Sequence, residues 1–79
     1  MKEILFFSSP WCGPCIQMKK DLTDSIRTEL NIKEIDISRE IDLAVEYNVF
    51  SAPMFVILKD GKERLRKLGK VSIEELKNY

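Results

Sequence analysis

The chain has 79 residues, enough for one small domain with a modest core but not for two domains. Thirteen lysines and arginines balance thirteen aspartates and glutamates, so the chain lacks the net positive charge typical of nucleic-acid-binding proteins. It contains no histidine, which excludes catalytic triads built on imidazole and most zinc sites. Two cysteines alone cannot complete a structural zinc site within one chain.

The hydropathy of the chain predicts a cytoplasmic protein without membrane contact. No segment approaches the roughly 20 apolar residues of a transmembrane helix. The apolar run at residues 4–7 is too short for a signal peptide, and no cleavage site of small residues follows it. In the cytoplasm, a close cysteine pair is redox-active or metal-binding more often than it is a structural disulfide.

The first half of the chain predicts a strand, a long helix and a second strand. Residues 4–7 form a continuous apolar run, which is typical of a strand buried on both faces. Residues 32–37 alternate between apolar and charged, which is typical of an edge strand. Between them, apolar residues recur at helical spacing and predict one helix that ends at Asn31. The apolar positions of this helix are Cys15, Met18, Leu22, Ile26 and Leu30.

The second half predicts a short helix, a hairpin and a last helix. Ser38 is a candidate N-cap for the short helix. Residues 54–58 form a second continuous apolar run, and Asp60-Gly61 predicts a hairpin to a charged edge strand over residues 63–68. The basic run over residues 59–70 is expected to be a solvated edge, with contact to an acidic partner as the alternative. Ser72 and Glu75 form a capping box for the last helix. The inward positions are expected to be Ile41, Ala44 and Val45 in the short helix, and Ile73 and Leu76 in the last one.

These elements predict one α/β domain over residues 1–79 with the order β-α-β-α-β-β-α. The two fully apolar strands are expected to lie between the two half-polar ones, which gives a four-stranded mixed sheet of order 2-1-3-4. A right-handed crossover makes the first two strands parallel, and the hairpin makes the last two antiparallel. Helices are expected on both faces because the central strands have no polar side.

Both cysteines lie where the first strand leads into the long helix, in the segment Trp11-Cys12-Gly13-Pro14-Cys15. Their spacing places both side chains on one face of a helical turn, within reach of a disulfide bond. Cys12 lies at the helix N-terminus, where free N–H groups and the helix dipole favour an anion, so we expect it to be the nucleophile. Cys15 is expected to be buried and to react second. Pro14 is tolerated in the first turn, and Gly13 leaves room for another backbone to approach.

Two other interpretations of this cysteine pair are a buried pair of thiols and half of a metal site. A metal-binding or docking module would dimerise through four shared cysteines, so metal content and native mass distinguish it from a redox protein. The preceding strand, the following helix and the Gly-Pro between the cysteines favour a redox centre.

The segment Trp-Cys-Gly-Pro-Cys resembles the active-site motif of thioredoxins. Residues 48–53 are similar to the family's segment before its cis-proline, residues 55–61 to the following hairpin, and residues 68–70 to the glycine loop before the last helix. The resemblance covers essentially all 79 residues. The chain begins at the strand before the active site, so its plan has the size of a glutaredoxin and resembles small thioredoxin-like proteins of archaea, bacteria and phages.

The resemblance implies the thioredoxin fold and a thiol–disulfide oxidoreductase that reduces protein disulfides without a bound cofactor. It implies that Cys12 attacks the substrate and that Cys15 resolves the mixed disulfide. The implied partners are disulfide-containing proteins and, as electron donor, a thioredoxin reductase that uses flavin and NADPH. The protein is expected to be a monomer.

The resemblance also implies which residues bind the substrate beside the cysteines. Pro53 is expected to be cis and to face the dithiol, while Ala52 presents its backbone to an extended substrate. Trp11 and Gly69 are expected to border the site together with Gly13 and Pro14. Ile16 lies off the apolar stripe of its helix and is a candidate for the same surface.

The sequence departs from the family patterns in three features. Phe6 stands where thioredoxins bury an aspartate, and Glu34 stands near the position of the lysine that accompanies it. Removal of the Cys15 proton is therefore expected to use water or another group. The glutathione-binding segment of glutaredoxins is not recognisable in residues 68–72. A glutaredoxin-like electron carrier, linked to glutathione or dedicated to one enzyme such as ribonucleotide reductase, is the alternative within redox chemistry.

Overall fold

The computed structural model describes residues 1–79. In chain order its elements are β1 (Lys2–Ser8), α1 (Gly13–Asp21), α2 (Asp24–Leu30), β2 (Ile32–Asp36), α3 (Ile41–Glu46), β3 (Met54–Lys59), β4 (Lys62–Leu68) and α4 (Ile73–Asn78). None of these helices has both the length and the hydropathy needed to cross a membrane.

The strands form one four-stranded sheet in the order β2-β1-β3-β4, which confirms the predicted topology. β1 pairs parallel with β2 and antiparallel with β3, and β4 continues the sheet antiparallel to β3. The turn between β3 and β4 has positive φ at both Asp60 (53°) and Gly61 (81°). This is the backbone geometry that an Asp-Gly hairpin predicts.

Apolar side chains from the two faces of the sheet form two separate clusters. The first cluster joins the sheet to α1, α2 and α4 and consists of Ile4, Phe6, Met18, Leu22, Leu30, Phe55, Ile57, Val71 and Leu76. The second lies on the face of α3 and consists of Leu5, Phe7, Ile35, Val49, Val56 and Leu58. Both faces of β1 and β3 are therefore covered, as their continuous apolar sequences predict.

The long helix predicted between β1 and β2 is wrong: the segment forms two helices, α1 and α2. Thr23 causes the break, because it has an extended backbone and its side-chain oxygen accepts a hydrogen bond from the Ile26 N–H at 3.3 Å. It is therefore the N-cap of α2. Met18, Leu22 and Leu30 all remain in the first cluster, so the apolar stripe continues across the break.

The N-cap predicted for α3 is also wrong. The cap residue is Glu40, which makes no capping hydrogen bond through its side chain. The Ser38 hydroxyl instead donates to the Asp36 carboxylate at 2.6 Å. Serine beside an aspartate forms such a local turn readily, and this turn competes with helix initiation.

The inward face of α3 differs from the prediction as well. Ala44 is buried, but Ile41 and Val45 are 59% and 58% exposed. Leu43 and Tyr47 pack against the second cluster in their place. Two apolar stripes overlap in the sequence of α3 and share Ala44: one contains Ile41 and Val45, and the other contains Leu43 and Tyr47. The stripe with the larger side chains, Leu43 and Tyr47, faces the sheet.

Two predicted helix ends are confirmed. Asn31 ends α2 in the left-handed conformation, with φ of 55°. Ser72 caps α4, since its hydroxyl oxygen accepts from the Glu75 N–H at 3.1 Å. Leu76 is fully buried and Ile73 packs against the first cluster, so α4 has the expected inward face.

Candidate redox site

The two cysteines lie at the N-terminus of α1, just beyond the end of β1. Cys12 is the N-cap residue, with an extended backbone, and Pro14 occupies the first turn. Cys12 is partly exposed, whereas Cys15 has no exposed surface. No disulfide bond joins them in this structure.

The sulfur of Cys12 takes part in two hydrogen bonds. It accepts from the backbone N–H of Cys15 at 3.2 Å, so the side chain itself caps the helix. Its thiol donates to the carbonyl oxygen of Ala52 at 3.4 Å. An N–H group aimed at the sulfur interacts more strongly with a thiolate than with a thiol, and the free N–H groups of the helix start add to this effect.

The thiol of Cys15 is held in its protonated form. Burial raises the pKa of the Cys15 thiol to about 11, and a hydrogen bond with Cys12 acts in the same direction. The backbone N–H of Ser9 and the charge of Lys19 oppose this rise in part. At neutral pH the thiolate fraction of Cys15 is on the order of 1 in 10,000, as follows from that pKa. The two thiols are therefore chemically unequal.

A second wall of the site comes from the loop before β3. The peptide bond between Ala52 and Pro53 is cis, which confirms the conformation implied by the resemblance. The carbonyl of Pro53 accepts from the N–H of Gly69 at 2.8 Å. Gly69 has φ of 98°, a conformation that side-chain-bearing residues avoid. The structure thus brings Cys12, Ala52, Pro53 and Gly69 together through a continuous set of contacts.

The side of the site above Gly13 is open. A Cβ atom placed on Gly13 would have no atom within 4 Å, so another backbone can approach there, as expected from the sequence. Trp11 lies in the loop before Cys12 and is 84% exposed.

Four exposed apolar side chains lie on the segments that build the site, and we call them the apolar rim: Trp11, Ile16, Phe50 and Leu68. Ile16 is 49% exposed, Phe50 76% and Leu68 65%. Phe50 lies two residues before Ala52, and Leu68 immediately precedes Gly69. No sequence pattern predicts Phe50 or Leu68 as surface residues of the site. In the sequence, each is an apolar residue that lies next to a loop of the site and is not part of a buried apolar stripe.

Phe6 places an aromatic ring where the resemblance implies an aspartate. Phe6 is fully buried and stacks on Phe55, with ring centroids 4.9 Å apart. It belongs to the first cluster together with Met18 and Leu22 of α1. Ser8 is the one polar residue among those that are buried, so no carboxylate lies in the core beneath the cysteines.

Glu34 stands opposite Phe6 in the pairing of β1 with β2, and its carboxylate is held by three side chains. It accepts hydrogen bonds from the Ser8 hydroxyl at 3.0 Å and from Arg27 Nη1 at 2.8 Å. The ammonium nitrogen of Lys19 lies 3.5 Å from Glu34 Oε2. Partial burial acts to raise the pKa of Glu34, but the hydrogen bonds and charges of these partners outweigh it and hold that pKa below its ordinary value. Glu34 is therefore an anion at neutral pH.

The chain offers no complete set of metal ligands. No three or more cysteine, histidine, aspartate or glutamate residues lie close enough together to hold a metal ion. A metal bound by the two cysteines would need further ligands from a second chain, as the sequence indicates. A cavity of about 460 Å³ is lined by residues 39–43 at the start of α3 and includes neither cysteine.

Comparison with known proteins identifies the family. The thioredoxin family profile matches residues 2–79. Thioredoxin of Bacillus subtilis is 33% identical over 78 residues, which cover 91% of this chain and 75% of that protein. The TPR repeat-containing thioredoxin TDX of Arabidopsis thaliana is 35% identical over 77 residues, which cover 91% of this chain and 20% of that protein. The X-ray structure of Fasciola hepatica thioredoxin superposes with a TM-score of 0.77 at 30% identity, covering 86% of this chain and 67% of that chain.

The chain belongs to the thioredoxin family and has the thioredoxin fold. Its Cys12–Cys15 pair is a thiol–disulfide oxidoreductase site. The chain spans a fifth of the length of the Arabidopsis protein and three quarters of the length of the Bacillus protein.

Proposed function

We propose that this protein reduces disulfide bonds in partner proteins, with Cys12 as the attacking thiol and Cys15 as the resolving thiol. The observation that carries the proposal is the inequality of the two cysteines. Cys12 is accessible and receives a backbone N–H at its sulfur, whereas Cys15 is fully buried behind it. A partner disulfide reaches the first sulfur and not the second.

The reaction takes two exchange steps. The Cys12 thiolate attacks one sulfur of the partner disulfide, forms a mixed disulfide and releases the other partner sulfur as a thiolate, which takes up a proton. Cys15 then loses its proton and attacks the Cys12 sulfur. The Cys12–partner bond breaks, the second partner thiolate leaves and is protonated, and the Cys12–Cys15 disulfide closes. Two thiols of this protein are oxidised while one partner disulfide is reduced to two thiols.

The apolar rim and the Ala52–Pro53 loop support docking of an extended partner segment. The Ala52 carbonyl, which accepts from the Cys12 thiol in the structure, becomes free when that thiol loses its proton. An extended chain laid across the site can then use this backbone group as a strand partner. Exposed aromatic and aliphatic side chains around it provide the apolar contact area of a docking surface.

We propose the reducing direction, a monomeric state and a cytoplasmic location. The Gly-Pro between the cysteines resembles the reducing members of the family and not its oxidants. The electron donor proposed is a thioredoxin reductase that uses flavin and NADPH, because no cofactor is expected in this chain. Glutathione is the competing donor that an assay must separate from it.

The test is reduction of a protein disulfide, such as that of insulin, with three separate electron donors. Dithiothreitol tests the exchange activity itself, and NADPH with a thioredoxin reductase or with glutathione and glutathione reductase tests the donor. We expect activity with dithiothreitol and with thioredoxin reductase, and none above background in Cys12→Ser. The proposed function would be contradicted if the protein with both cysteines failed to catalyse the reduction with all three donors.

The docking role of the apolar rim has its own test. Phe50→Ser removes an exposed aromatic ring beside the Ala52 loop and is expected to raise KM for a protein disulfide severalfold, with little change for a small disulfide reagent. Ile41→Ser is the matched control, since Ile41 is 59% exposed on α3 outside the rim. Equal KM values for the wild type and Phe50→Ser would exclude Phe50 from the docking surface.

A further inference from the structure

We propose that the ammonium group of Lys19, held in place by Glu34, stabilises the Cys15 thiolate in the resolving step. The proposal rests on the proposed function, in which Cys15 must ionise to attack Cys12. No buried carboxylate lies beneath Cys15 to assist its ionisation. In this proposal the charge of Lys19, at the surface, assists it instead.

The geometry of α1 places Lys19 beside Cys15. The two residues are four positions apart within α1, so their Cβ atoms lie on the same face about 5–6 Å apart. Side chains of a helix tilt toward its N-terminus, and Lys19 therefore leans toward the turn that contains Cys15. Lys20, the next residue, points away from this face and is exposed.

Glu34 prevents the Lys19 side chain from extending freely into solvent. Its carboxylate lies 3.5 Å from the lysine nitrogen and links α1 to β2. The carboxylate is itself fixed by Arg27 at 2.8 Å and by the Ser8 hydroxyl at 3.0 Å. Ser8 is fully buried, so this ion pair is anchored to the core at the end of β1 nearest the cysteines. Lys19 thus keeps a defined position, which most surface lysines lack.

Few other charges face Cys15. The Cys12 sulfur opposes ionisation of Cys15, while the Ser9 N–H and the Lys19 charge favour it. Arg27 and Glu34, which pair with each other at 2.8 Å, do not shift the pKa of Cys15. Asp36, the other carboxylate near Lys19, is bound by Ser38. Phe6 provides no ionisable group. Lys19 is therefore the one full positive charge that acts to lower the pKa of Cys15, and this agrees with its placement on α1.

In the resolving step the Cys15 proton passes to solvent, and Lys19 acts through its charge alone. Its charge lowers the free energy of the Cys15 thiolate while the thiolate attacks the Cys12 sulfur and expels the partner thiolate. Loss of the Lys19 charge is expected to raise the Cys15 pKa and so to lower the thiolate fraction of Cys15 at neutral pH. The greater nucleophilicity of a more basic thiolate, with a Brønsted coefficient of about 0.4–0.5, offsets part of that loss, and the net loss of rate is expected to be about threefold.

The experiment is to form the mixed disulfide of Cys12 with a chromogenic aromatic thiol and to follow the second thiol release by stopped flow. Rates are measured from about pH 6 to about pH 11.5, at low and high salt, so that the range includes the raised pKa of Cys15. For Lys19→Gln we expect a resolving step about threefold slower at neutral pH, a pH profile displaced to higher pH, and a weaker salt dependence than the one expected for the wild type. Lys19→Arg should retain the wild-type rate within twofold.

Lys20→Gln is the matched control and should behave as the wild type. A Lys19→Gln variant with the wild-type rate, pH profile and salt dependence would overturn the proposal. So would an equal slowing in Lys19→Gln and Lys19→Arg without a change in pH profile, because that result indicates a merely structural role. The first thiol release reports attack by Cys12 and should be the same in all variants. Its absence in the wild type would contradict the proposed function instead.

Discussion

At the residue scale, the site depends on how differently its two sulfurs are surrounded. The Cys12 sulfur receives the N–H of Cys15 at 3.2 Å and faces the solvent side of the loop. Burial is the main cause of the raised pKa of Cys15, and no buried carboxylate beneath it accepts the proton. Solvent access allows Cys12, and not Cys15, to react with the partner disulfide. Desolvation keeps Cys15 protonated until the mixed disulfide has formed.

The Phe6→Asp variant tests the apolar surroundings of Cys15. A carboxylate at this position offers a proton acceptor near the second thiol, so we expect a faster resolving step. It also replaces a fully buried ring stacked on Phe55 and buries an acidic group without a partner, which is expected to cost several kcal/mol of unfolding free energy. The decay rate of the mixed disulfide and denaturant unfolding measure the two effects.

Phe6→Leu is the control for lost packing without an added acid. It should lower the unfolding free energy by about 1–2 kcal/mol and leave the resolving step unchanged. A wild-type resolving rate that does not vary between about pH 6 and about pH 9, and that is the same in Phe6→Asp, would show that Phe6 does not limit proton removal.

The raised pKa of Cys15 predicts a pH dependence of stability in the reduced protein. Burial raises that pKa from 9.0 to about 11, so the folded state holds the proton more tightly than the unfolded state. This contribution to stability is fully present below about pH 9 and is lost as the pH rises toward about 11. Urea unfolding at a series of pH values measures it.

Cys15→Ala lacks the titrating group and is the control for that series. Its unfolding free energy should fall less steeply than that of the wild type over the same alkaline range, because all other groups titrate in both proteins. Parallel curves for the two proteins would contradict the raised pKa.

At the scale of the elements, the helical segment between β1 and β2 shows what periodicity does and does not report. Apolar spacing identifies the face that meets the sheet, and Met18, Leu22 and Leu30 all lie in the first cluster. Spacing does not report helix continuity, since a threonine in the middle can serve as an interior residue or as a cap. Here Thr23 serves as a cap.

The capping role of Thr23 predicts an unequal effect of two similar substitutions. Thr23→Ala removes the oxygen that accepts from the Ile26 N–H and is expected to lower the unfolding free energy by about 1 kcal/mol. Thr28→Ala, at an exposed position within the same helix, should change it by less than about 0.5 kcal/mol. Equal losses for both variants in thermal or urea unfolding would show that α2 does not depend on this cap.

At the scale of the whole molecule, the sheet could be predicted from the sequence because each central strand is a continuous apolar run. The order of the strands follows from the half-polar character of β2 and β4, and the structure has that order. The position of the cysteines at the start of a helix could be predicted in the same way, because the Trp11–Cys15 segment follows β1 directly.

The other features of the structure depend on packing between elements, which local sequence patterns do not predict. On α3, Leu43 and Tyr47 pack against the second cluster while Ile41 and Val45 are exposed. Both pairs have helical spacing, so spacing alone does not distinguish them. The exposure of Phe50 and Leu68 likewise appears only when the loops are placed around the cysteines. The ion pair between Lys19 and Glu34 joins two elements that are not adjacent in the sequence.

The fold is expected to be held by its two apolar clusters and not by a disulfide. The cysteines are three positions apart, so oxidation closes a very short ring and removes little chain entropy, worth about 2 kcal/mol at most. We therefore expect the reduced protein to remain folded, with an oxidised form more stable by no more than that amount. Near-UV circular dichroism and denaturant unfolding of both forms measure the difference. Complete unfolding on mild reduction would show that the cysteine pair is a structural disulfide.

The central claim, that Cys12 forms and Cys15 resolves a mixed disulfide with a partner protein, has one direct test. Cys15→Ser is incubated in its reduced form with a disulfide-containing protein, and the products are analysed by non-reducing gel and peptide mass spectrometry. We expect a covalent complex that is joined through Cys12, is released by dithiothreitol and is absent in Cys12→Ser. A complex joined through Cys15 in Cys12→Ser, with none formed by Cys15→Ser, would contradict it.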